Sequence, residues 1–300
     1  MNRVVRAKAD AMQRILINQY KRQDVFQCGH KAHFKFEKNV SVYHVLKEKA
    51  CYPEGCIYFL WKCKLLNKGH GCPKGYQHVG RNCFSCKSYF EEKILYQPEI
   101  LLDKEGFEDF ERELEEFEDW LQSVVGKRIE FSGIVNSVKP HFKKKRLGSK
   151  EILSFPGFLI SFKEGYLDRV FFKDYIFLTV SRKTQENLKF ANGDKVEFEA
   201  TLRTDKGRIV LERIRHVEFS EKKKEASWNS SQAVVAKSTG TELDCQPEKC
   251  LACENGCLLD VVEREGERLK TCRHLFCLAG VTDPEECVYH LAKKIKMVKT

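Results

Sequence analysis

Fourteen cysteines fall in two clusters, seven from Cys28 to Cys86 and seven from Cys245 to Cys287, and residues 87–244 contain none. The amino end has no apolar run of the kind that marks export, and no segment approaches the roughly 20 apolar residues of a membrane span. The expected setting is the cytoplasm, where thiols stay reduced. Clustered thiols in that setting read as metal ligands before disulfides. The chain is therefore expected to carry two sparse, metal-stapled lobes around a cysteine-free centre.

Three hundred residues suit two or three domains. The expected fold class is α+β: a small Cys-rich metal module, a central β-barrel and a second metal module. Residues 1–24 predict a basic helix, with Val4, Val5, Ala9, Met12, Ile15, Leu16 and Tyr20 at helical spacing. Residues 25–98 form the first cysteine module, with short strands at 32–37 and 57–61 and too few apolar residues to hold a core without a staple. Residues 99–123 predict an acidic amphipathic helix, since Phe107, Phe110, Leu114, Phe117 and Leu121 make one stripe. Residues 124–219 alternate at period two, as in Val196, Phe198, Ala200 and Leu202. Asp205, Lys206 and Gly207 form a hairpin turn, and a short helix is expected at 184–190. Residues 220–244 lose both periodicities and read as a linker. Residues 245–300 are the second cysteine module, ending in a helix over 284–296.

In the second module, Cys250-x2-Cys253 is followed by a hairpin over 258–262 and 268–272, then by Cys272 and Cys277. Two cysteine knuckles joined by a β-hairpin resemble a zinc ribbon. That resemblance implies four thiolates around zinc at about 2.3 Å, an ion whose binding supplies folding energy. Cys245, Cys257 and Cys287 are left over. The run Cys245-x4-Cys250-x2-Cys253-x3-Cys257 also resembles an iron–sulfur motif, though Leu258 stands where bacterial ferredoxins carry proline. Zinc is thus the expected cofactor, with an iron–sulfur cluster as the alternative. In the first module, one pairing joins Cys63, Cys72, Cys83 and Cys86 in one site and Cys28, His30, Cys51 and Cys56 in another. A second pairing joins Cys51 and Cys56 with Cys83 and Cys86.

The net charge is +10. Residues 103–119 hold ten carboxylates against Lys104 and Arg112, so the rest of the chain is more basic still and attracts polyanions. The centre opens with Gly126, Lys127, Arg128, Ile129, Glu130, Phe131, Ser132 and Gly133. Asn192, Gly193, Asp194, Lys195 and Val196 precede its last hairpin. This pattern resembles the OB-fold, which implies ligand binding across strands 2 and 3 and the loops 1–2 and 4–5. The residues at those places are Lys139, Phe142, Lys143, Lys144, Lys145 and Arg146 after strand 1, Phe158, Phe172 and Tyr175 on strands 2 and 3, and Arg203, Lys206 and Arg208 in the last loop. Cations would hold phosphates and aromatics would stack on bases. No nucleotide-binding, hydrolase or metalloprotease motif is present. The expectation is a non-catalytic binder of nucleic acid, single-stranded DNA or RNA, with structural zinc. The alternatives are an iron–sulfur redox protein and a metal-stabilised scaffold in a nucleic-acid-processing complex, with protein subunits as partners and no membrane.

Overall fold

The computed structural model describes residues 14–30, 33, 39–148, 150–223, 228–243, 248–251, 253–265 and 268–289. The expected helix over 1–13, most of the strand at 32–37, Cys245 and the helix beyond 289 lie outside these residues. The fold is mixed α and β, with one large sheet and few helices. Two compact units divide it: Gln19–Glu115, and a larger one made of Met1–Asn18 with Glu116–Thr300.

β1 (Ile15–Leu16) belongs to the larger unit. It corrects the helix expected at 14–24. Leu16 is buried between exposed Ile15 and Ile17, a period of two, and β1 pairs in parallel with residues Phe171 and Phe172.

The smaller unit contains β2 (Phe26–Gln27), β3 (Asn39–Val40), β4 (Cys56–Cys63), the short α1 (Lys64–Asn67), β5 (Tyr89–Tyr96) and β6 (Glu99–Ile100). β2 lies between β3 and β6, while β4 and β5 pair antiparallel from Cys56↔Tyr96 to Cys63↔Tyr89. Its core is Val25, Phe26, Val45 and Phe110, with Phe26 meeting Tyr52, Phe107 and Phe110. Phe110 comes from the expected acidic helix, α2 (Lys104–Val124), whose apolar stripe buries Phe110, Phe117 and Leu121. The first part of α2 belongs to the smaller unit and the remainder to the larger.

The larger unit continues with β7 (Arg128–Leu147), β8 (Lys150–Leu167), β9 (Val170–Phe172), β10 (Ile176–Ser181), α3 (Arg182–Leu188), β11 (Lys195–Asp205) and β12 (Arg208–Glu221). Then come α4 (Ser230–Thr239), β13 (Thr241–Leu243), α5 (Glu248–Leu251), β14 (Gly256–Glu265) and β15 (Arg268–Cys277). Five of these strands pair in a circuit that returns to its start: β7 with β8, β8 with β10, β10 in parallel with β12, β12 with β11, and β11 with β7. Phe131, Phe162 and Phe198 pack inside it, with ring centroids 4.6 Å and 4.9 Å apart around Phe131. Ser181 caps α3 by accepting from the Thr184 amide at 3.1 Å.

Three expectations are corrected here. Residues 139–146 are strand, not loop: β7 runs unbroken to Leu147, because cross-strand partners meet the cations on both sides. The stretch 220–244 is not a linker throughout, since it holds α4 and β13. Asn229 and Gln232 close a capping box on α4, and the helix buries Ala233 and Ala236. The carboxyl-terminal hairpin does not stand apart. β14 pairs in parallel with β7, from Leu259↔Phe142 to Glu263↔Arg146, and extends the same sheet. The hairpin itself forms as the sequence predicts, in register from Gly256↔Cys277 to Glu265↔Arg268.

Candidate nucleic-acid interface

Strand parity divides the run of four cations. Lys144 and Arg146 share one face of β7. Lys144 Nζ lies 2.7 Å from Glu151 and 2.9 Å from Glu242, while Arg146 donates to Glu151 (2.9 Å), Glu242 (2.9 Å) and Glu263 (2.6 Å). His274 Nδ1 donates to Glu242 as well. These two cations therefore fasten β13 and β14 to the β7–β8 hairpin rather than waiting for phosphate. Lys143 and Lys145 face the other way, are exposed, and make no ion pair among the described residues. Lys139 is also reassigned. Its Nζ donates to the carbonyls of Cys253 (2.7 Å) and Gly256 (2.5 Å), and burial pulls its pKa down.

Three of the expected stacking residues belong to the core. Phe142 is fully buried against Phe155 and Phe276, at 5.6 Å and 5.3 Å. Phe158 is fully buried beside Phe155. Phe172 is fully buried and stacks on Trp120 at 5.6 Å. None of them presents a face to a base. Tyr175 does stay exposed, and its ring lies nearly parallel to Phe177 at 6.3 Å. Phe177 was not among the expected residues, although alternation in β10 makes it legible. Ile176, Leu178 and Val180 are buried, so Tyr175, Phe177 and Thr179 share the outer face.

Next to that face lies a groove of about 580 Å³. β8 supplies Pro156, Gly157 and Leu159 to its walls, and β10 supplies Thr179, Val180 and Ser181. The β11–β12 turn supplies Arg203, Lys206 and Arg208, and the carboxyl-terminal hairpin supplies Asp260, Val262 and Arg273. Five Lys or Arg side chains line it (Lys143, Arg203, Lys206, Arg208 and Arg273) against three carboxylates (Asp205, Glu212 and Asp260), so its balance is positive.

The groove wall is pre-ordered by one polar chain. His141 donates to Asp260 (2.9 Å), Arg273 bridges Asp260 (3.0 Å) and Asp205 (2.6 Å), and Arg208 donates to Asp205 (2.6 Å). Burial opposes the charge on Asp260, but the His141 hydrogen bond and the Arg273 guanidinium outweigh it and hold the carboxyl well below its usual range. Burial likewise opposes the charge on Asp205, and Arg208 with Arg273 overcomes it. Burial and then Arg273 lower the pKa of Arg208, whose guanidinium sits 4.8 Å from the Phe177 ring centroid. Arg208 is thus a wall component, whereas Arg203 is exposed and pairs with Glu212 at 3.1 Å. At the turn, Lys206 and Gly207 both have positive φ, the two-residue hairpin geometry that favours glycine in second place. The turn is tethered twice: Lys206 donates to the Thr271 carbonyl (2.7 Å), and Asn18 to the Gly207 carbonyl (2.9 Å).

The cysteines separate by position. Cys250, Cys253, Cys277 and Cys287 line one cavity of about 20 Å³ beside Leu243 and Leu275. Cys272 does not join them, because five residues of extended strand set it roughly 16 Å from Cys277 and on the opposite face. It lines the groove instead, with its sulfur 3.2 Å from His274 Nε2. The expected set of Cys250, Cys253, Cys272 and Cys277 is therefore not gathered in one place. Cys257 is buried on β14, where burial pushes its thiol up to about 12. In the smaller unit, burial and then the neighbouring Cys56 and Cys28 raise the Cys51 thiol. His33 and His44 meet there through their Nε2 atoms at 2.9 Å, and the His30 ring packs edge-on against Tyr58 and Tyr96. Cys63 ends β4 opposite Tyr89, Cys72 lies in the connection to β5, and the Cys86 amide donates to the Cys83 carbonyl at 2.8 Å. Among the described residues no group of three or more His, Cys, Asp or Glu side chains stands in metal-holding geometry. Among the described helices none is long and apolar enough to cross a membrane.

No family model, curated protein or solved structure matches this chain.

Proposed function

We propose that residues 128–221 form an OB-like barrel and that its groove binds single-stranded nucleic acid without catalysing a reaction. The strand circuit supports the barrel. Its order places the first strand beside the second and fourth, and the third in parallel with the fifth, with α3 between the third and fourth strands. The observation that carries the function is the groove itself: about 580 Å³, cationic in balance, at the outer face of β8 and β10 and beside the β11–β12 turn, where OB-folds take extended ligands. Lys143, Arg203 and Lys206 line the groove and Lys145 lies beyond it on the same face of β7; these are the cations that would meet phosphates, and Tyr175 with Phe177, on the outer face beside the groove, would offer the stacking surface.

The test is fluorescence anisotropy of a labelled oligothymidylate against the full chain over a salt series. Four phosphate contacts on a single strand give a log–log slope of about −3, and Lys143→Gln with Arg203→Gln should flatten it by about 1.4. Equal slopes for variant and parent, or no binding at low salt, would end this reading.

A further inference from the structure

We infer that Cys250, Cys253, Cys277 and Cys287 form a four-thiolate site for a single zinc ion, independent of the groove. The four cysteines come from three stretches of chain (the Cys250–Cys253 turn, the end of β15 and Cys287) and line one hollow of about 20 Å³. A space of that size holds one small body, comparable to a single water, and leaves no room for a multi-atom cluster. The rest of its lining is largely apolar, including Leu243, Leu275, Val281 and Pro284, so the sulfurs are its main donors.

Buried cysteines are often plain core residues, but here the backbone is shaped around them. The Cys253 amide donates to the Cys250 carbonyl (3.2 Å), and the Gly256 amide to the Cys253 carbonyl (3.1 Å), closing a C-x2-C turn. A Cβ at Gly256 would stand 1.9 Å from the Cys250 carbonyl oxygen, so this turn closes only over glycine. Cys277 opens a second turn, with the Gly280 amide donating to its carbonyl (3.2 Å). Gly280 has φ +75°. Lys139 fixes the first turn from below through the Cys253 and Gly256 carbonyls. Cys257 and Cys272, on the same hairpin, do not line this hollow.

The thiols line the hollow but do not yet stand in metal-holding geometry. Binding then rotates the side chains inward on fixed turns. Each Cys S–H gives its proton to solvent as a Zn–S bond of about 2.3 Å forms, so one Zn²⁺ releases up to about four protons.

The test is differential alkylation of the full chain, stripped by chelator under reducing conditions and read by peptide mass spectrometry with and without added Zn²⁺. Cys250, Cys253, Cys277 and Cys287 should be protected by zinc, and Cys272 alkylated equally in both. Elemental analysis should show Cys287→Ser holding one zinc fewer than the parent, and Cys272→Ser the same number. Equal alkylation of the four with and without zinc overturns the assignment, as does protection of Cys272 in place of Cys287. Iron with visible charge-transfer absorption in the isolated protein would do the same. The alkylation result stands even where a variant fails to fold, and none of these outcomes depends on oligonucleotide binding.

Discussion

Truncating Phe142 separates two opposed expectations for one residue. A stacking residue contributes to ligand binding and little to stability, whereas a core residue does the reverse. Phe142 is fully buried, with its ring wedged between Phe155 of β8 and Phe276 of β15, so it couples the β7–β8 hairpin to the carboxyl-terminal hairpin. Removing a buried aromatic side chain forfeits up to about 3 kcal/mol of transfer free energy. The hollow left behind raises the loss in Phe142→Ala to about 3–5 kcal/mol, because β7 is held on both edges and cannot collapse inward. For a unit of roughly 200 residues each kcal/mol moves the midpoint by about 2–4 °C, which places the shift at roughly 6–20 °C. Phe142→Leu keeps most of the apolar bulk and should cost about 1 kcal/mol. Differential scanning calorimetry of the full chain reads both variants. Their oligonucleotide slopes are measured below the melting range of the weaker one. If Phe142→Ala melts with the parent while its affinity for oligothymidylate drops, the ring faces the ligand and the packing argument is wrong.

Arg146→Gln should lower stability by about 2 kcal/mol, the worth of charge-assisted hydrogen bonds to carboxylates, while Lys145→Gln leaves the melt unchanged and flattens the salt slope. An Arg146 variant that melts like the parent would count against the clamp across β7, β13 and β14. Asp260→Asn should cost about 2 kcal/mol at neutral pH through lost bonds to His141 and Arg273. A carboxyl held low in the folded state stabilises above its unfolded pKa and loses that contribution as pH falls toward its folded value. The gap between Asp260→Asn and the parent should therefore narrow below about pH 4, and a gap constant with pH would contradict the network. Asn229→Ala should cost about 1 kcal/mol by uncapping α4, whereas a linker residue would show no change in the melt.

The parts of this fold legible in the sequence are those encoded over short distances. The stripe of Phe107, Phe110, Phe117 and Leu121 is observed as α2, the Lys206–Gly207 turn as a tight hairpin, and the hairpin expected over 258–262 and 268–272 as β14 and β15. What periodicity does not encode is the distant partner. Nothing local tells β14 to lie in parallel beside β7, yet that pairing turns Lys144 and Arg146 from phosphate candidates into struts facing Glu242 and Glu263. Phe172 is hidden for the same reason, since its cover is Trp120 from a helix some fifty residues earlier. Parity, by contrast, was available. Alternate residues of a strand cannot share a face, so a cationic run that enters a strand must divide its roles between odd and even positions. Cys272 and Cys277 of one strand cannot meet at one ion, and Phe177 must turn outward where Ile176 and Leu178 turn in. The groove follows from that same rule. Its outer residues are those the core leaves behind, and a ligand there meets side chains held by β8, β10 and two hairpins rather than by a mobile loop. A binding surface built on strands gives up adaptability for fixed spacing, which suits a repeating phosphate backbone more than a variable side-chain partner.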